Sequence, residues 1–83
     1  MRLWDSLDRQ GLTDNTLVIV TSDHGELLGD HGLCMKGPFH YEQLAGVPFL
    51  AMGPGIMRGR EIDSLVSLVD VAPTCLNAAG TAF

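Results

Sequence analysis

Three observations predict an α/β fold built on part of a mainly parallel sheet. Thr16 to Thr21 is a β-branched run without alternation, the mark of a strand covered on both faces. Val47 to Met52 restores that signal after a glycine-rich interval. Apolar residues at helical spacing flank the pair at both ends of the chain.

Leu3, Trp4 and Leu7, followed beyond a polar step by Leu12, define an apolar stripe, with Asp5, Asp8, Arg9 and Gln10 on the wet side. The spacing predicts a short amphipathic helix from Arg2 to Gln10, stopped at Gly11. Thr13-Asp14-Asn15 is a turn cluster that leads into the first strand. From Ser22 to Tyr41 the glycines at 25, 29, 32 and 37, with Pro38, erase any period and predict a long functional loop. Pro48 falls at the start of the second strand, where a missing N–H is tolerated. Gly53-Pro54-Gly55 turns the chain, and Arg58 to Arg60 forms a basic surface loop. Glu61 to Ser67 reads equally as a short strand or an extended connection. Asp70 is placed as the N-cap of a helix from Val71 to Ala79, with Pro73 in its first turn and Gly80 as its stop.

Two strands covered on both faces need sheet neighbours and helices that 83 residues do not hold, so the sequence reads as a segment of something larger. A net charge of -5, with only five scattered Lys and Arg, argues against a nucleic-acid partner. The longest apolar runs are far short of the roughly 20 residues a spanning helix needs, and the first residues form no signal peptide. Localisation of the parent protein stays open. Cys34 and Cys75, far apart in sequence, leave a disulfide and two free thiols both open, free thiols being the commoner outcome.

The chemistry concentrates in Asp23-His24-Gly25-Glu26-Leu27-Leu28-Gly29-Asp30-His31-Gly32-Leu33, directly behind the first strand. Adjacent residues on a strand point to opposite faces, so Asp23 and His24 can reach one ion only if the strand has already ended, a turn that Gly25 permits. A carboxylate oxygen and an imidazole nitrogen together suit a divalent ion such as Ca, Mn or Zn. An isolated Asp-His-Gly is more often a strand-end carboxylate capping loop amides beside a surface histidine. Lys36 could bind one oxygen of a sulfate or phosphate ester and steady charge that develops in displacement, although a loop lysine is usually only solvated. His31 and His40 are candidate proton donors, and Glu26, Asp30 and Glu42 read as carboxylates that order the loop.

Competing motifs fail on their own spacing. A calcium-binding EF loop from Asp23 would place Gly25 and Leu27 where oxygen ligands belong. Lys36 precedes a glycine rather than following one, which excludes a Walker loop. Gly53-Pro54-Gly55 lacks the third glycine and the helix of a dinucleotide site.

Taken together, Asp14-Asn15-Thr16-Leu17-Val18-Ile19-Val20-Thr21-Ser22-Asp23-His24-Gly25-Glu26, Gly29-Asp30-His31-Gly32, Lys36-Gly37, Tyr41-Glu42, Val47-Pro48, Gly53-Pro54-Gly55 and Ser67-Leu68-Val69-Asp70-Val71-Ala72-Pro73-Thr74 strongly resemble the sulfatase family of the alkaline phosphatase superfamily. The likeness runs from about Leu7 to Gly80, with several spaced motifs in order. It implies an incomplete alkaline-phosphatase-like sandwich, with a long active-site loop, in which residues 1–83 are part of a catalytic domain for sulfate ester hydrolysis. By the same resemblance Asp23 and His24 would be metal ligands, most simply for Ca2+, with Mn2+ the alternative. Lys36 would be the catalytic and substrate-binding lysine, and His40 would lie near a small-molecule or glycan sulfate ester. The family's nucleophile is a formylglycine made within a Cys-x-Pro-Ser-Arg type motif, and neither Cys34 nor Cys75 stands in one. The resemblance therefore implies that the rest of the catalytic domain is required and that these residues are inactive alone. Gly46 stands where the family often has an arginine just before Val-Pro. A phosphonate or phosphodiester hydrolase of the same superfamily, and a non-catalytic remnant, are the alternative readings.

Overall fold

The structure, a computed structural model, describes residues 2–81. In chain order these form α1 (Arg2–Arg9), β1 (Val18–Thr21), α2 (Glu42–Ala45), β2 (Phe49–Met52) and α3 (Val71–Ala78), with single 3-10 turns at Thr13–Asn15, Asp30–Gly32 and Leu68–Asp70. Helices and strands both occur, as an α/β sequence requires. Two units separate by their internal packing, Val18–Ala51 on one hand and Met1–Leu17 with Met52–Phe83 on the other. The candidate site residues all fall in the first.

In the unit that holds the chain ends, α1 and α3 stop for the same reason. The N–H of Gly11 reaches the carbonyl of Asp8 at 3.0 Å and that of Leu12 reaches Leu7 at 2.9 Å. Gly80 and Thr81 repeat the pattern on Asn77 and Leu76, each at 3.0 Å. Both are Schellman closures, which need a left-handed residue just past the helix, and Gly11 and Gly80 have φ of 66° and 75°. The stops at Gly11 and Gly80 therefore stand as the sequence predicts. Asp70 sits at the start of α3, but its backbone is helical and its side chain makes no capping bond. Instead Thr74 Oγ1 donates to the Asp70 carbonyl at 2.6 Å, inside the first turn. Residues 61–67 form no strand and serve as a connection.

In the other unit, β1 and β2 pair as a two-stranded sheet. Just past β1, the N–H of Gly25 donates to the carbonyl of Leu44, ahead of β2. Just past β2, a Cβ on Gly53 would overlap the backbone of Thr16 and Leu17, ahead of β1. The pair is therefore antiparallel, where the sequence reading expected part of a mainly parallel sheet. An unalternating β-branched run reports which faces are covered and carries no information on strand direction. Both strands are shorter than predicted, and the chain returns between them through a long loop and the four-residue α2 rather than through a crossover helix.

Coverage of the strands also differs from expectation. Val20, Phe49 and Leu50 are exposed, and the buried hydrophobic residues among those described are Leu27 and Leu44. Cys34 and Cys75 are both free and exposed, so no disulfide joins them. No helix among the described residues is long and apolar enough to cross a membrane.

Candidate metal and anion site

The strand ends at Thr21, so Asp23 and His24 escape the opposite-face rule and lie in an irregular turn. Three bonds fix that turn. Ser22 Oγ donates to the His24 carbonyl at 2.8 Å, the His24 N–H donates to Asp23 Oδ1 at 3.0 Å, and Gly25 N–H donates to the Leu44 carbonyl at 2.9 Å. Gly25 is needed for this last approach, because any Cβ there would overlap the Gln43 carbonyl. Its φ lies outside the left-handed region, so close approach, and not turn geometry, explains the glycine.

The imidazole of His24 is oriented from both sides. Its Nδ1 is 2.7 Å from the Gly25 carbonyl, an oxygen that can only accept, so Nδ1 carries the proton and Nε2 keeps a lone pair. Lys36 Nζ, twelve residues on, lies 2.9 Å from Nε2 and donates to it. Asp23 Oδ2 is 3.8 Å from the same nitrogen. The His24 side chain is 37% exposed and Asp23 is 87% exposed, which leaves the group open to solvent. The Asp23 carboxyl is held below its ordinary value of 3.8, first by the adjacent imidazole, then by its own and the His24 backbone amides, with a smaller pull from Lys36.

These residues fit a divalent ion as part of its shell. Two ligands of one Ca2+ at ordinary bond lengths, set at angles from a right angle to tetrahedral, lie about 3.4–3.9 Å apart, and Oδ2 and Nε2 are 3.8 Å apart. The carbonyl behind Nδ1 is the usual orienting partner of a metal-binding histidine. No third His, Cys, Asp or Glu among the described residues completes a metal-binding cluster. Since Ca2+ takes six to eight ligands, chiefly oxygens, one carboxylate oxygen and one imidazole nitrogen would be a minority of its shell.

Of the residues singled out from sequence, Asp23, His24 and Lys36 therefore come together. His40 is exposed and shares no hydrogen bond or ring contact with them. His31 turns away to stack on Tyr41, with ring centroids 3.9 Å apart and planes at 15°, and Phe39 tilts against the same Tyr41 at 5.6 Å. Glu26 does order the loop, accepting the Leu27 N–H at 3.1 Å. Sequence reasoning overlooked Ser22, Leu44 and the whole of α2. A buried Leu44 in the run Glu42-Gln43-Leu44-Ala45 was the available signal, but four residues are too few for a helical period to register.

The sulfatase family profile matches residues 1–81. Arylsulfatase K of dog (Canis lupus familiaris) is 47% identical over 90% of the chain, which spans 14% of that protein. The "Extracellular sulfatase SULF-1 homolog" of Drosophila melanogaster is 42% identical over 95% of the chain, spanning 7% of its own length. The "Low-salt glycan biosynthesis sulfotransferase Agl7" of Haloferax volcanii is 40% identical over 96% of the chain and is spanned to 21%. With a profile that covers almost every residue, including the strand end and loop that bring Asp23, His24 and Lys36 together, the chain belongs to the sulfatase family.

Proposed function

We propose that this chain supplies part of the active site of a sulfuric ester hydrolase, within a catalytic domain of alkaline-phosphatase-like architecture. The observation that carries the reading is the grouping of Asp23 Oδ2, at 3.8 Å, and Lys36 Nζ, at 2.9 Å, around His24 Nε2. Asp23 and His24 would hold a divalent ion, most simply Ca2+ with Mn2+ as the alternative, together with ligands from outside these residues. When bound, such an ion polarises a sulfuryl oxygen and stabilises the charge of displacement.

The chain's own residues account for the other electrostatic contributions. Asp23, whose carboxyl is held below its ordinary value by the neighbouring His24, would keep a negative charge beside the cation. Gly25 O and Ser22 Oγ hold the His24 ring and backbone in a set orientation, which fixes the direction of its Nε2. Lys36 carries three donors on a flexible stem and would take a sulfate oxygen, lowering the cost of the charge that builds as the ester bond breaks. His40, exposed in the loop between Lys36 and α2, is placed beside the substrate in this reading. The nucleophile is a formylglycine from a Cys-x-Pro-Ser-Arg type motif, which these 83 residues do not contain. The substrate is a small-molecule or glycan sulfate ester, and the 83 residues alone have no turnover.

The name of the archaeal relative, a sulfotransferase of glycan biosynthesis, favours a second reading in which the sulfuryl group passes to a sugar hydroxyl rather than to water. The same lysine and cation would serve either acceptor.

The test pairs 4-nitrophenyl sulfate with bis(4-nitrophenyl) phosphate on the catalytic domain that carries this sequence, after chelation and return of Ca2+ or Mn2+. Sulfate ester turnover that needs the ion and falls at least a hundredfold in Lys36→Ala is expected, the order of loss when one oxyanion-stabilising donor is removed. Preference for the phosphodiester would overturn the sulfatase reading, and sulfate release only with an added sugar acceptor would favour transfer.

A further inference from the structure

We infer that the Lys36 ammonium occupies the metal-binding lone pair of His24 in the metal-free chain, and that metal loading releases Lys36 to bind the anionic substrate. This rests on the reading above and adds an order of events to it.

A neutral imidazole has one in-plane lone pair, and here it lies on Nε2, because the Nδ1 proton is committed to the Gly25 carbonyl at 2.7 Å. That lone pair serves one cation at a time. In the structure it serves Lys36 Nζ, at 2.9 Å. The ring is the fixed partner of the pair. Turning it away would break the Nδ1 bond, and its backbone is pinned by Ser22 Oγ at 2.8 Å and by the Gly25 to Leu44 bond at 2.9 Å. Lys36 is the partner that can leave: it lies in an exposed stretch of loop, and the bond to His24 is its one hydrogen bond among the described residues. Met35, just before it, has a φ of 66°, so the backbone there is already in a conformation that few side chains favour.

A divalent ion at Oδ2 and Nε2 would both take the lone pair and repel the ammonium beside it. The freed ammonium then has an unmet demand for an acceptor, and a sulfate oxygen next to the ion meets it. Metal and anion should therefore bind with positive coupling, each strengthening the other to the same extent. Without metal, an anion must first pull Lys36 from His24, and its affinity falls by that cost.

The experiment uses the catalytic domain that carries this sequence, with labelled histidine and lysine, followed by NMR as CaCl2 and then millimolar sodium sulfate are added. The His24 Nε2 and Lys36 Nζ signals are expected to move together with one midpoint in Ca2+, and sulfate is expected to shift Lys36 at lower concentration once Ca2+ is saturating. Lys36→Met should bind Ca2+ about fivefold or more tighter at low salt, the factor that one like charge at contact range carries even in bulk water. Retention of the His24 Nδ1–H signal shows that the variant keeps the site's shape, and the wild-type lysine signal gives an answer independent of that variant. A His24 shift with Lys36 unmoved, or equal Ca2+ affinity in Lys36→Met, would overturn the exchange and leave the metal site standing. No Ca2+ response at His24 in either chain would overturn the exchange and the metal site together.

Discussion

The N–H of Gly25 donates to the carbonyl of Leu44 at 2.9 Å, and this one backbone bond ties the turn that carries Asp23 and His24 to α2. The approach is so close that no side chain fits on Gly25. Gly25→Ala is therefore expected to destabilise the Val18–Ala51 unit by about 1–3 kcal/mol, as overpacking commonly does, and to move the His24 ring signals. Urea unfolding paired with a histidine NMR spectrum checks both. An alanine variant with unchanged stability and unchanged ring signals would remove Gly25 from the account.

Leu27 and Leu44, 2% and 7% exposed, are the buried hydrophobic residues behind the site. Truncating either to alanine should cost about 2–5 kcal/mol, the usual range for a buried leucine. Leu65, fully exposed, should tolerate the same change within about 0.5 kcal/mol. Thermal unfolding of the three variants side by side makes the comparison.

The lowered Asp23 carboxyl gives a pH signature with a definite sign. A group whose folded value is depressed stabilises the fold above its ordinary value of 3.8, and that contribution disappears as pH falls through the lowered folded value. The adjacent imidazole is the largest cause, so in His24→Ala the Asp23 midpoint should climb toward 3.8, while Lys36→Met should move it less. A carboxyl-carbon NMR titration of the three chains reads these midpoints directly. A larger shift from the lysine variant than from the histidine variant would contradict this assignment of causes.

The stack of His31 on Tyr41 has a separate cost. Aromatic pairs of this kind contribute about 0.5–1.5 kcal/mol beyond area burial, and His31 has a left-handed φ of 55°, which the stack helps to hold. His31→Ala should loosen residues 27–41 without altering the His24 to Lys36 contact, while His31→Asn, better suited to that backbone, should lose less. Amide hydrogen exchange across the loop is the appropriate measurement.

Different parts of this structure were legible in the sequence for different reasons. Gly11 and Gly80 announced the helix stops because a left-handed closure leaves few alternatives to glycine, and a strand end before Asp23 is what adjacent Asp23 and His24 side chains need in order to meet. Strand direction was not legible, since β-branching in Thr16 to Thr21 speaks of covered faces and not of partners. Asp70 occupied the cap position but not its role, because Leu68–Asp70 is already a 3-10 turn and the residue is too helical to turn its carboxylate back. The hydrogen bond from Lys36 to His24 spans twelve residues of aperiodic loop, and no local pattern encodes such a contact. The turn role assigned to Gly25 was the right residue with a different cause, visible only once Gln43 and Leu44 lay against it.

The central claim is that Asp23 and His24 share one cation, with the Lys36 amine at the same place. Paramagnetic broadening by Mn2+, titrated into the labelled catalytic domain that carries this sequence, tests it most directly, since the effect falls steeply with distance from the ion. The expected result is early loss of the Asp23, His24 and Lys36 side-chain signals while Glu61, Asp63 and Asp70 persist. Broadening that begins at those other carboxylates and spares His24 would contradict the account.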